Sequence, residues 1–393
     1  MLLSNQFLID LQKQYHKYLF DDFLPFMDNH IVDKKYGGFL CHTDRNGYNI
    51  STHKRTWYDG RGIWVYSFLY EHFNHNERYL EVAKKTVDLA LKSQPENNNF
   101  WPDTYTKEGC ALSNKPGDIY GGLFVAEGLI AFARASGEDS YLTKAKEIFF
   151  SAVNQYDEKG YQYVPHYDSE NMGIEAPRIL GHWMVFLNIS RQILEQDADP
   201  QVEEISDRCI DALLKHHLQS DTYLMIEYLN HDFSVPEEKH KQFSYIGHAI
   251  ETLWMLMEEA NRRGNQALFN QAANLFKRHV EVAWDNVYGG VFHCIRNIDK
   301  NEWLLDKVLW AQEEVMNGLM LLIEKNDDQW AQRWLPYFWE YLHNTFILQD
   351  NTFRLWINGG DRKLIKHHQI NRFENYHHPR HLMLNIMRLR HIL

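Results

Sequence analysis

Cysteine is scarce in this chain of 393 residues: Cys41, Cys110, Cys209 and Cys294 stand far apart, with no CxxC pair and no zinc spacing. That excludes a disulfide framework and the common zinc modules, and reads as buried or idle thiols in a reducing compartment. Long apolar runs are missing too. No stretch of about 18 apolar residues occurs, so no membrane span is expected. The opening MLLSNQFLIDLQKQYHKYLF lacks a basic start, a long apolar core and a small-residue cleavage site. It reads as an amphipathic helix, not a secretory signal, and the expected location is the cytoplasm. Positive charge is in deficit, with 41 Lys and Arg against 53 Asp and Glu and a net charge of −12. Nucleic acids and anionic membranes reward clustered cations, so neither is an expected partner. No P-loop and no dinucleotide fingerprint is present. Proline and glycine are scattered too evenly to mark a linker, so residues 1–393 read as a single domain.

What is present is material for a large core and many flat rings: 44% hydrophobic residues, with 12 Trp, 22 Tyr and 22 Phe. Most long segments are apolar at i, i+3, i+4 and i+7, the period of a helix. Two of them, RYLEVAKKTVDLALKS from Arg78 and SYLTKAKEIFFSAVNQY from Ser140, share the start Tyr-Leu-x-x-Ala, and ALFNQAANLFKRHV from Ala267 is similar. The matching alanines are Ala83, Ala145 and Ala272, separated by 62 and then 127 residues, with Ser206 and Trp334 as weaker members. A fixed period of this size signals a repeat of two helices plus loops. Six such units account for the chain length. The expectation is all-α, an (α/α)6 barrel of six helical hairpins, with an open solenoid as the rival. DKKYGGFL from Asp33 and DNVYGGVF from Asp285 are near copies and predict short β-hairpin loops at one rim.

The first helix of the repeats carries a polar residue at a common phase. These are Arg61, His182, His248, Glu314 and His377, at intervals of 121, 66, 66 and 63 residues. In a closed ring, equal phase means equal height and equal aim. Burying such groups unpartnered costs about 1–3 kcal/mol each, so convergence implies use. Histidines shuttle protons near neutral pH and arginine stabilises a developing oxyanion. That kit suits proton removal beside a carbonyl better than glycoside hydrolysis, which needs two opposed carboxylates. Three histidines could also hold zinc, but no HExxH is present and no metal is expected.

WYDGRGIW, GHAIE, KVLWAQEEVM and HHPR stand in this order along the chain. In them the chain resembles the N-acylglucosamine 2-epimerase family, which includes cellobiose 2-epimerases and mannose isomerases. The resemblance covers almost the whole chain and implies an (α/α)6 barrel, no cofactor, a small sugar as substrate, and a monomer or homodimer. It implies His248 and His377 as the catalytic pair, with His378 as the alternative register. Glu251 would orient His248 from one turn further on, and Arg61 would hold the substrate oxygen. His182, Glu314, Trp310, Trp57 and, more weakly, Glu227 in LMIEYL would contact the sugar. Arg372, also expected to contact substrate, stands where cellobiose enzymes carry a tryptophan and would meet an acidic or phosphorylated sugar. The first motif is similar to the N-acylglucosamine branch, whereas Gln312 and His182 are similar to the cellobiose and mannose branches.

The implied reaction opens the sugar ring and removes the carbon 2 proton through His377. A cis-enediolate forms on Arg61, and His248 returns a proton from the opposite face. N-acetylglucosamine and N-acetylmannosamine are the first substrates expected. Unmodified mannose, glucose or cellobiose come second, with epimerisation or aldose–ketose isomerisation as outcomes. From other classes, a glycoside hydrolase or a non-catalytic sugar-binding protein would share the barrel.

Overall fold

The computed structural model describes residues 3–96, 100–112, 117–163, 178–236, 240–350 and 352–393. Helices of two characters alternate along it. One set is buried on every side: in α4 (Ile119–Ser136) each residue from Ile119 to Ala133 is buried. With it belong α2 (Thr56–His72), α6 (Leu180–Leu194), α8 (Ile246–Arg262), α10 (Leu309–Asn326) and α12 (His377–Ile392). The other set is amphipathic and opens on polar caps. Asn76 accepts from Arg78 N at the head of α3 (Glu77–Lys92), and Asp328 from Ala331 N at the head of α11 (Gln329–Thr345). This set also holds α1 (Asn5–Lys17), α5 (Asp139–Asp157), α7 (Pro200–Asp211) and α9 (Gln266–Ala283). Helices apolar all round are core, and helices with one apolar stripe lie over it.

The buried set forms an inner ring, each helix packed on the next and α12 packed back on α2. Asn375 Nδ2 donates to Tyr58 O at 2.9 Å across this closure, and Trp64 meets the Tyr376 ring edge-on at 5.7 Å. The solenoid rival is thereby excluded. From α3 onward each outer helix covers the inner helix before it, but the sixth pair is not a hairpin: α1 packs on α12. Tyr15 of α1 meets His381 of α12 edge-on at 5.1 Å. The two ends of the described chain thus close the (α/α)6 barrel. Between α2 and α4 the backbones come too close for side chains. A Cβ on Gly60 would lie 2.5 Å from Phe124 C, and one on Gly128 2.6 Å from Gly60 O. α4 is also long and apolar enough to cross a membrane, at mean hydropathy 1.2, so the sequence does hold one such window; 83% of it is buried in the ring, as befits a core helix.

The rim where the inner helices begin carries short strands. β5 (Cys294–Asn297) and β6 (Glu302–Leu304) make a local hairpin. Other strands tie separate loops together: β1 (Lys54–Arg55) with β2 (Thr104–Tyr105), and β3 (Arg178–Ile179) with β4 (Tyr228–Leu229). Likewise β8 (Gly359–Gly360) pairs with both β7 (Lys307–Val308) and β9 (His367–His368). The Tyr-Gly-Gly copies are tight turns closed by single bridges, Val32 to Phe39 and Trp284 to Val291, rather than full hairpins. Each is anchored by a fully buried lysine that precedes an inner helix. Lys54 donates to Asp33 Oδ2 at 2.8 Å and to Gly37 O at 2.5 Å. Lys307 donates to Asp285 Oδ2 at 2.9 Å and to Gly289 O. Arg362 adds a bidentate pair to Asp285, at 2.9 and 2.7 Å.

Candidate active site

The phased residues fall in the first two turns of α2, α6, α8, α10 and α12, so they share the rim end of the inner ring. There the positive ends of the helix dipoles favour anions. Two histidines are each held by a buried carboxylate. His248 Nδ1 lies 3.2 Å from Glu227 Oε1, and His377 Nδ1 lies 2.9 Å from Glu314 Oε1. Such a bond, with Nδ1–H donating, fixes the tautomer and the orientation of the ring. Both rings keep an accessible edge, 14% and 10% of their side chains. Trp310 stands between them, its ring 5.7 Å from His248 and 5.5 Å from His377. Gly247 makes that position possible, because a Cβ there would lie 2.6 Å from Trp310 Cη2.

The two carboxylates are tuned differently. Burial raises the Glu227 pKa and His248 offsets only part of it. Burial acts the same way on Glu314, but Arg380 and His377 outweigh it and hold that carboxyl well below the usual range. Glu314 also accepts from Trp254 Nε1 at 2.7 Å and Asn317 Nδ2 at 3.2 Å. It is a fixed anion beside His377.

Arg61 is the complementary feature. Its guanidinium lies over the Phe124 ring at 4.0 Å and the Tyr376 ring at 4.7 Å. Among the described residues no carboxylate pairs with it, and its buried Nε has no hydrogen-bond partner. A half-buried cation held by aromatic faces keeps its hydrogen-bonding capacity for a ligand oxygen. Trp57 continues this wall, edge-on to Tyr120 at 5.3 Å and Phe124 at 5.5 Å.

Several expected residues sit differently. Glu251 does not reach His248. Its Oε1 accepts from Arg380 Nη2 at 2.5 Å and lies 4.0 Å from His377 Nδ1, so it belongs to the other histidine. The charge of Arg380 draws it there, while Glu227 from β-paired loop backbone takes its place at His248. His182 is fully buried among Tyr120, Tyr156, Tyr161 and Tyr163, with Tyr161 Oη 3.3 Å from its Nε2. Burial and Arg178 lower its pKa well below the imidazole range, so it is neutral and backs the wall. Arg372 lies on a loop, over Tyr58 at 5.5 Å, and bonds Gln369 at 3.3 Å. His377 and His378 both find carboxylates: His378 Nδ1 lies 2.5 Å from Glu313 Oε1, facing away from Trp310 toward Trp356.

Arg380 is the residue that sequence reasoning passed over, although it stands in HHPR. Its Nη2 donates to both Glu251 and Glu314, at 2.5 and 2.6 Å, and its Nη1 to Tyr376 Oη at 3.2 Å. Tyr376 Oη in turn donates to buried Glu127 at 2.8 Å. Glu251, Glu314 and His377 present donor atoms within 4.8 Å of one another, a spacing that metals use. Here the guanidinium already bonds the same oxygens and supplies the positive charge. Only a buried carboxylate in an apolar stretch (Glu127 in GGLFVAEGL) signalled this network in the sequence.

Comparison with known proteins places the chain in a family. A family model described as N-acylglucosamine 2-epimerase matches residues 37–378. The human N-acylglucosamine 2-epimerase is 24% identical over 343 residues, covering 83% of this chain and 78% of the relative. The cellobiose 2-epimerase structure from Bacillus thermoamylovorans B4167 superposes at TM-score 0.82 with 16% identity, covering 97% of this chain and 100% of the other. A D-mannose isomerase structure does so at 0.79 with 17% identity, covering 98% of each. With a family match across most of its length and the same ring in its neighbours, the chain belongs to the N-acylglucosamine 2-epimerase family of sugar epimerases and isomerases, and it is an isomerase.

Proposed function

We propose that the protein is a sugar 2-epimerase that interconverts N-acetylglucosamine and N-acetylmannosamine by proton transfer at carbon 2. One observation carries the mechanism: two histidines flank Trp310, each with Nδ1 on a buried glutamate. Epimerisation needs a proton removed from one face of carbon 2 and one delivered to the other, and a flanking pair of this kind suits that task. With the sugar opened to its aldehyde, His377 takes the carbon 2 proton and Glu314 balances the imidazolium. The cis-enediolate bears its charge on oxygen, where Arg61 donates. His248, entering this direction as the imidazolium balanced by Glu227, gives its Nε2 proton to the opposite face. The N-acyl preference rests on the curated relatives, N-acylglucosamine 2-epimerases 22–24% identical, and on WYDGRGIW. The pairing of both chain ends in one helix pair supports reading 1–393 as one catalytic domain. A hydrolase reading is disfavoured, since Glu251 and Glu314 both bond one guanidinium nitrogen and neither is poised as a free acid.

Proton NMR in D2O with N-acetylmannosamine tests this. Conversion to N-acetylglucosamine with deuterium at carbon 2 is the expected result, abolished in His248→Asn and His377→Asn with folding intact. Exchange absent in folded wild-type protein, but present with mannose or cellobiose, would transfer the mechanism to unmodified sugars. Substantial exchange in either histidine variant would refute it.

A further inference from the structure

The His-Glu pair of the catalytic site has a twin. Adjacent residues of α10, Glu313 and Glu314, hold adjacent residues of α12, His378 and His377. One helical residue advances the side chain by about 100°, so neighbouring residues face different spaces. His377 faces Trp310. His378 faces a second cavity of about 60 Å³, walled by Phe23, Phe373 and Trp356 and distinct from the catalytic histidines, which do not line it. The Trp356 and His378 ring centroids are 4.9 Å apart.

Four polar atoms on residues lining this cavity are buried and without a partner: His378 Nε2, Trp356 Nε1, Thr43 Oγ1 and Arg372 Nε. The His378 side chain is only 6% exposed. Buried polar groups are nearly always hydrogen-bonded, so a cluster of unpartnered ones in one cavity marks a place where a ligand completes them. Two arginines of the lining, Arg354 and Arg372, have no carboxylate partner among the described residues; Arg354 bonds Tyr18 Oη at 3.4 Å and Arg372 bonds Gln369. The two acids of the lining are already engaged. Glu374 accepts from Tyr376 N and His378 N, and Asp44 from Asn46 N and Tyr48 N. Free guanidinium donors beside an indole and spare donors suit an anionic group joined to a compact hydroxylated body with an apolar face.

We propose that this cavity is a second ligand site, for a small hydroxylated organic anion of the sugar-phosphate or sugar-acid type. Arg354 and Arg372 hold the anionic group, Trp356 carries the apolar face, and His378 and Thr43 bond hydroxyls. The site does not depend on the carbon 2 chemistry.

Isothermal titration tests it with glucose 6-phosphate and glucuronate as probes, and glucose and inorganic phosphate as controls. The expected result is that at least one anionic sugar binds tenfold or more tightly than either control. Phosphate-ester and carboxylate sources are told apart by which of the two binds. Arg354→Met, at an exposed position, and Trp356→Leu should each weaken that binding tenfold or more. Arg354→Met should leave thermal unfolding and carbon 2 exchange near wild type, and Arg61→Met should leave the binding unchanged. Anionic sugars binding no better than the controls, or binding lost in Arg61→Met but kept in both cavity variants, would overturn the site.

Discussion

Replacing Gly247 by alanine places a methyl carbon 2.6 Å from Trp310 Cη2 and 3.1 Å from Cζ3. Ordinary contact begins near 3.4 Å, so the indole must retreat by about 0.8 Å. It has little room, because Tyr245, His248 and His377 all lie within 5.7 Å of its ring. Overpacking of this kind costs about 1–3 kcal/mol of stability. A displacement approaching 1 Å among groups that position a substrate costs about 100-fold in rate. Gly247→Ala should therefore lose about two orders of magnitude in kcat for carbon 2 exchange, measured by NMR, with a modest fall in urea midpoint. Gly160→Ala, where an added Cβ meets nothing within 4 Å, is the control. Adding Trp310→Phe removes the colliding outer ring. The double variant should regain stability relative to Gly247→Ala without regaining rate. A Gly247→Ala enzyme within threefold of wild type would refute the idea that Trp310 spaces the two histidines.

Other expectations follow from single contacts. Glu227→Gln keeps the shape beside His248 but removes the charge, and should lower kcat about 10–100-fold with KM little changed. Arg61→Met breaks no ion pair, so the unfolding temperature should hold while kcat falls about 100–1,000-fold, as when an oxyanion donor is lost. Asp59 is fully buried and its pKa is pushed up to about 6 by burial, against bonds from Tyr105 Oη and Phe39 N. Raised above its unfolded value, it binds its proton more tightly when folded, so stability is lost as pH rises from about 4 to 6. Asp59→Asn should then be the more stable protein at pH 7.5, by up to about 3 kcal/mol, with the advantage gone at pH 4. Urea unfolding at the two pH values checks this. Lys54→Met should destabilise more than Lys307→Met, since Asp285 keeps its ion pair with Arg362 whereas, among the described residues, Asp33 makes its ion pair with Lys54 alone. Equal denaturation midpoints for the two variants would contradict that account.

Much of this architecture was legible because helical periodicity is local. The Tyr-Leu-x-x-Ala starts mark outer helices, and the polar residues at equal phase mark the rim of the inner ring. What stayed hidden was set by encounters across the chain. α1 lacks the repeat's opening, so its pairing with α12 left no trace in the period. Glu251 stands one turn beyond His248, and proximity along the helix points to that partner; Arg380, arriving 129 residues later, claims it instead. The two-residue rim strands pair between loops, and so short a segment carries no period of its own. The choice between His377 and His378 had no single answer, because Glu313 and Glu314 supply a partner for each.

The pairing of α1 with α12 also sets an order of events during synthesis. About 360 residues separate the end of α1 from the start of α12, so the apolar face of α1 (Leu8, Leu11 and Tyr15) waits uncovered while nearly every other helix is made. Exposed apolar surface of that kind invites holding by chaperones until its partner emerges. The helix that finally covers it also brings His377 and Arg380. A nascent or clipped chain that stops short of α12 thus lacks both its seam and the histidine proposed as its base.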